Sequence, residues 1–82
     1  MLVGMIALKS EPWALEDNFR RVEAYAKEAA ARRAQVVVAP ESVLDGYVFN
    51  EDPTSTPEGM LEIAQTVPDG VYLRRAGELC QE

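Results

Sequence analysis

Two uninterrupted apolar runs, residues 2–8 (LVGMIAL) and 36–39 (VVVA), flank a stretch in which apolar residues recur at helical spacing. A strand-length run without alternation predicts a β-strand covered on both faces. Between the runs, Leu15, Phe19, Val22, Ala26, Ala29 and Ala30 form one apolar stripe, which predicts a helix over about residues 14–32. The opposite face carries Glu16–Arg20, Asp17–Arg21, Glu23–Lys27 and Glu28–Arg32. Each is an acid-before-base pair at i,i+4, contributing about 0.2–0.5 kcal/mol, so these charges need no functional explanation. Strand, helix and strand in such short succession predict a βαβ unit with parallel strands and a right-handed crossover.

Beyond the second strand the pattern weakens. Residues 49–56 (FNEDPTST) are polar and turn-rich and read as a surface loop. Thr56, Pro57 and Glu58 supply the cap, first-turn proline and early acid of a helix running to about Gln65. Residues 67–70 (VPDG) punctuate it, with Asp69 expected to cap a last helix whose stripe is Tyr72, Leu73, Ala76, Leu79 and Cys80. Trp13 is expected to cover the start of the first helix against the core. A sheet of two strands cannot bury both of its faces, and the chain ends on a helix where a βα alternation would enter its next strand. The expectation is an α/β chain, incomplete in isolation, with residues 1–82 the N-terminal part of a single domain. The competing expectation is a small non-catalytic α/β module that dimerises or docks through its open sheet.

Composition narrows the function classes. Eighty-two residues suffice for one small domain. The net charge of −6 argues against nucleic-acid or anionic-membrane partners, which need clustered Lys and Arg. With no histidine, His-based metal sites and His general bases are excluded. A single cysteine cannot form an internal disulfide, which fits a reducing, cytoplasmic setting. The first apolar run is too short to span a bilayer and lacks the basic start of a signal peptide. Glu51, Asp52, Glu58 and Glu62 fit no metal-ligand spacing, and there is no glycine-rich phosphate loop. Neither metal nor cofactor is expected.

The chemistry concentrates in residues 35–47, QVVVAPESVLDGY. Glu41 follows a hydrophobic strand and Pro40, which places a carboxylate where open α/β sheets carry their ligand sites. A glutamate after a strand is most often merely solvated, and that reading stays open on position alone. Three features favour a site: Pro40 stops the strand at a defined edge, Gly46 permits a tight turn, and Tyr47 can return a hydroxyl to the same cleft. A carboxylate beside three valines and a proline is also expected to be partly desolvated, which suits general-base work.

The first strand, Asn18 in the first helix, residues 34–41 (AQVVVAPE) and then Gly46-Tyr47 together resemble the start of the nitrilase, or carbon–nitrogen hydrolase, superfamily. The likeness is collinear over essentially the whole chain. It implies the βαβ-α-α opening of a four-layer αββα sandwich that hydrolyses a non-peptide C–N bond of an amide, carbamoyl compound or nitrile. The family works through a Glu-Lys-Cys triad, and Glu41 matches its glutamate, the general base toward the cysteine thiol. Tyr47 is implied as a substrate-binding residue and a homo-oligomer as the assembly. Lys9 and Lys27 do not match the catalytic lysine. Cys80 lies on an apolar stripe without a strand-to-helix elbow and reads as a buried structural cysteine. The triad's lysine and cysteine are therefore expected outside these residues, leaving the isolated chain inactive. Leu8 stands where many relatives carry a polar residue, and Arg33 where a glycine is common.

Overall fold

The first apolar run forms a strand only over Val3–Met5 (β1), and the valine run over Val36–Val38 (β2). The two are parallel, with Val3 opposite Val36, Gly4 opposite Val37 and Met5 opposite Val38. Backbone bonds from Ile6 N to Val38 O (2.8 Å) and from Gln35 N to Leu2 O (2.9 Å) extend the ladder at both ends. The computed structural model describes the backbone of residues 1–82 and the side chains of residues 1–48 and 51–82. The connection between the strands is α1, Leu15–Ala31, as the apolar stripe predicted. Its close seat on β1 depends on Gly4, where an added Cβ would lie 2.9 Å from the Ala29 Cβ.

Within these residues the strands are not buried on two faces. Val3, Val36 and Val38 are 47%, 43% and 47% exposed, and Met5 is 81% exposed. Two strands and one covering helix leave the other sheet face open, which is why the continuous apolar pattern and the observed exposure disagree. Beyond the sheet, three further helices follow: α2 (Val48–Glu51), α3 (Pro57–Ile63) and α4 (Val71–Cys80). The α/β class stands; the four-layer sandwich cannot be read from a single two-stranded sheet. No described helix is long and apolar enough to cross a membrane.

The helix ends show how local chemistry sets boundaries. Thr56 Oγ1 accepts the Gly59 N–H at 3.0 Å and starts α3, as expected of an N-cap threonine. For α4 the expected cap fails: the N-cap residue is Gly70, and the Tyr72 N–H is satisfied by Gln65 Oε1 at 2.9 Å. At the end of α1, Arg33 N bonds Ala30 O (2.9 Å) and Ala34 N bonds Ala29 O (3.0 Å). That is a Schellman closure, which needs a left-handed residue, and Arg33 adopts it with φ 69°. The glycine that the family resemblance favours there has this physical reason. Arg33→Gly is expected to raise stability by about 0.5–1 kcal/mol, the left-handed penalty less the entropy of glycine in the unfolded chain. A melting temperature unchanged or lowered in that variant contradicts the account.

The buried centre is built from one apolar residue each of α1 and α2, with α4 packed on the first. Phe19 and Val48 are its buried apolar residues, and Tyr72 packs on Phe19 with ring centroids 5.7 Å apart. The inward face of α4 is Tyr72, Arg75, Ala76 and Leu79, whereas Leu73 and Cys80 are exposed. Cys80 is thus not the buried structural residue that its sequence pattern suggested. The pattern failed because an arginine occupies an inward position: the Arg75 guanidinium sits 4.4 Å from the Phe19 ring centroid and 2.6 Å from Glu16 Oε1. Of the four expected pairs on α1, Glu16–Arg20 (2.9 Å) and Glu28–Arg32 (3.0 Å) form. Arg21 instead donates to the Lys9 carbonyl (2.7 Å), and Lys27 pairs with Glu82 (3.7 Å).

Glu16 therefore serves both α1 and α4. The Arg75 hydrogen bond, with help from Arg20, holds its carboxyl below the ordinary value of 4.5. A depressed folded-state value means the interaction stabilises above the unfolded-state value and is lost as pH falls through the folded one. The stability difference between parent and Glu16→Gln, measured by urea unfolding, is expected to be present at about pH 6 and to shrink toward about pH 3. A difference that stays constant across that window contradicts this role.

Candidate active site at the strand exits

Both strands run out into one cleft. It has a volume of about 300 Å³ and is lined by Leu8, Lys9 and Ser10 after β1, by Pro40, Glu41, Gly46 and Tyr47 after β2, and by Glu51. Its location at the carboxyl ends of parallel strands is where open α/β sheets place ligands. The expected pair is brought together: Tyr47 Oη donates to Glu41 Oε2 at 2.9 Å. This bond to the carboxylate, followed by the negative charge itself, holds the Tyr47 phenol above its ordinary value of 10.0. The expected desolvation of Glu41 is not found. Its side chain is exposed, because the valines beside it are themselves open to solvent.

The turn that carries these groups has three left-handed residues: Ser42 (φ 53°), Gly46 (φ 75°) and Tyr47 (φ 60°). Positive φ at a serine and a tyrosine costs about 1–3 kcal/mol each, so the surroundings must hold the turn in place. They do so from the β1–α1 connection. Trp13 N donates to Asp45 O at 2.9 Å, and Gly46 packs directly on the Glu11–Pro12 peptide. Asp45 Oδ2 accepts the Val48 N–H at 3.3 Å and starts α2. A one-turn helix thus occupies part of the expected surface loop, whose side chains at 49 and 50 lie outside the described residues. The half-buried Trp13 reaches across to donate its indole N–H to Asp52 Oδ2 at 2.7 Å, a more specific role than covering the helix start.

The residue at the centre of this seam is Asn18, which the sequence marked as part of the family resemblance without giving it a role. Asn18 is fully buried. Its Oδ1 accepts the Glu11 N–H (2.9 Å), and its Nδ2 donates to Glu11 O (2.8 Å) and to Leu44 O (2.7 Å). The signal was present: Leu15, Asn18, Phe19 and Val22 share one helix face, so a polar residue of modest helix propensity interrupts an inward stripe. Lys9 also proves to be in the site region, lining the same cleft, although it forms no ion pair with Glu41 among the described residues. Cys80 and Lys27 do not line the cleft, and no cluster of three potential metal ligands occurs among the described residues. A second groove of about 350 Å³ runs along β1 beside Tyr25 and Ala29. Its two charged side chains, Glu28 and Arg32, pair with each other at 3.0 Å.

Comparison with known proteins bears on what this cleft does. Residues 2–82 match the carbon–nitrogen hydrolase family. A nitrilase of Pyrococcus abyssi (strain GE5 / Orsay) is 37% identical over 71 residues, which cover 84% of this chain and 25% of that protein. The chain therefore spans about a quarter of the curated relative it matches. No solved structure matches it significantly.

Proposed function

This chain belongs to the carbon–nitrogen hydrolase family, and on that premise we propose that it supplies Glu41 as the general base for hydrolysis of a non-peptide C–N bond. The observation that supports the assignment is the position of Glu41: it leaves β2 into the strand-exit cleft and is oriented there by the Tyr47 hydroxyl at 2.9 Å. In the proposed Glu-Lys-Cys triad, the Glu41 carboxylate takes the proton of a cysteine thiol. The thiolate adds to the amide or carbamoyl carbon, the C–N bond breaks as the amine leaves with the proton held on Glu41, and water hydrolyses the resulting thioester; a nitrile instead gives a thioimidate whose nitrogen leaves as ammonia on hydrolysis. A lysine ammonium stabilises the negative charge developing in the addition step. Lys9 lines the cleft but does not match the lysine of the family pattern, and neither Lys27 nor Cys80 lines it, so the lysine and cysteine are proposed to come from chain outside residues 1–82, with these residues inactive by themselves. Tyr47, with its hydroxyl in the cleft, is the proposed substrate-facing partner of the base.

The test is the substitution Glu41→Gln in a complete hydrolase carrying this segment, assayed on a simple amide. Loss of turnover is expected, and retention of the parent's turnover removes the assignment.

A second reading draws on the exposed sheet. Val3, Met5, Val36 and Val38 leave an apolar face open, and we propose that it is covered by association, either in a homo-oligomer or in a complex of a non-catalytic module. Light scattering at low micromolar concentration discriminates. A discrete, folded dimer of the 82-residue chain supports the module, whereas open-ended aggregation supports a segment that needs further chain to cover its sheet. A cytoplasmic setting is proposed on the single, unpaired Cys80.

A further inference from the structure

We infer that Asn18 is the positioning residue of the Glu41 cleft: its buried carboxamide staples the loop leaving β1 to the loop leaving β2, and so sets Glu41 and Tyr47 against each other. The inference rests on the reading of Glu41 as general base for its catalytic consequence, but the stapling itself does not. All hydrogen-bonding capacity of the side chain that the seam can use is engaged. One acceptor bond and one donor bond go to Glu11, and the second donor bond goes to Leu44, 26 residues away. No buried side-chain polar atom in the described residues lacks a partner.

Only an asparagine fits these demands. Aspartate has the same shape but no N–H, so two carbonyl oxygens would face a carboxylate. Leucine or alanine removes the side-chain partners of the Glu11 N–H and the Leu44 carbonyl in a part-buried seam, leaving the Glu11 carbonyl only the Ala14 N–H at 3.2 Å. Glutamine adds a methylene where Asn18 is already fully enclosed. The turn between Leu44 and Tyr47 holds two left-handed residues, Gly46 and Tyr47. Among the described residues Asn18 supplies the one side-chain tie to Leu44, beside the Trp13 N–H bond to Asp45 O and the packing of Gly46 on the Glu11–Pro12 peptide. In this inference the Trp13 and Gly46 contacts fix the middle of the turn, and the Asn18 bond at Leu44 fixes the entry that aligns the Tyr47 hydroxyl with Glu41. Asn18 does not line the cleft and acts only through the loops it joins.

The experiment has two arms. In the 82-residue chain, carbon-13 labelling at the tyrosine ζ carbons follows the titration of Tyr47 in the parent, Asn18→Ala, Asn18→Asp and Glu41→Gln. Loss of the Glu41 bond lowers the Tyr47 titration point toward that of free tyrosine. The Asn18 variants are expected to move it toward free tyrosine, the direction in which Glu41→Gln moves it by removing the carboxylate charge while keeping an acceptor, and the Phe19–Tyr72 contact, read from ring shifts, persists. A parent-like Tyr47 titration in a folded Asn18 variant overturns the inference. Asn18→Ser, uncharged and smaller than asparagine, serves as the folded variant if neither alanine nor the buried carboxylate of aspartate is tolerated.

In a complete hydrolase carrying this segment, kcat is expressed per titrated active-site thiol, so that loss of folded protein does not register. Asn18→Asp is expected to lower that kcat about 100-fold, the usual cost of a base displaced by an ångström, with KM changed little. Its acidic pH limb is expected to shift. An unchanged kcat per site and an unchanged limb overturn the inference. Unchanged turnover in Glu41→Gln overturns the general-base reading instead, and leaves the first arm to decide the staple.

Discussion

Replacing Glu41 by glutamine in a complete hydrolase carrying this segment is expected to lower kcat/KM for an amide by about 10²–10⁴-fold, the range contributed by a positioned general base. The same substitution is expected to leave stability within about 0.5 kcal/mol of the parent, since exposed side chains away from a core contribute little. Glu41 is exposed, and its one side-chain partner among the described residues is the Tyr47 hydroxyl. Glutamine keeps the size and still accepts that hydrogen bond through its amide oxygen, but it cannot accept the thiol proton. Activity and stability therefore separate. A large loss of both points to a structural carboxylate, and a loss of neither points to a solvated strand-end residue. Alkylation of the nucleophilic cysteine provides a direct check: the thiolate should form at higher pH in the variant, because the base that withdraws its proton is gone.

Gly46→Ala is expected to have the largest effect on folding, about 3 kcal/mol of destabilisation in urea or thermal unfolding. Two causes add. The position has φ 75°, a left-handed conformation that an alanine Cβ resists. A Cβ there would also overlap the Glu11 carbonyl and the Pro12 nitrogen, which are backbone and cannot swing aside. The β1–α1 connection would have to separate from the turn after β2, opening the seam closed by Asn18 and Trp13. At the usual stability per residue, 82 residues account for about 4–12 kcal/mol, and this loss is a large fraction of it. Gly77→Ala is the matching control. Gly77 lies in the exposed interior of α4 with open space around it, so alanine should stabilise by about 1 kcal/mol through helix propensity alone. A loss below about 1 kcal/mol in Gly46→Ala would show that the seam gives way easily, contrary to its role in holding Glu41.

Much of this was legible along the chain. The apolar stripe of α1, the two strand-length runs and the Thr56-Pro57-Glu58 start of α3 are local patterns, and the elements appear where the patterns lie. Glu41 and Tyr47 could be paired in advance because only six residues separate them, and the turn needed to join them contains its glycine. Three features were not legible in this way. The inward face of α4 includes Arg75, whose apolar stem and cation lie over Phe19, so a pattern that counts charge as outward turned the helix by a residue and placed Cys80 inside. The cap of α4 comes from Gln65 across a turn, not from the nearer Asp69. The bonds of Asn18 run to backbone groups seven residues before it and 26 after it, and no local spacing announces such partners.

Residues 35–47 by themselves determined that a carboxylate leaves a hydrophobic strand into a turn that returns a tyrosine hydroxyl. Strand propensity, proline punctuation and a glycine turn act over a few residues, and local physics is enough to fix them. Only the tertiary structure decided how firmly that turn is held and in what surroundings. The clamp from Asn18, the close approach of Gly46 to the Glu11–Pro12 peptide and the open, solvated setting of Glu41 all depend on groups brought together from separate parts of the chain. Burial and long-range hydrogen bonding are properties of the packed whole, and for that reason the identity of the candidate base could be read from its neighbours in sequence while its environment could not.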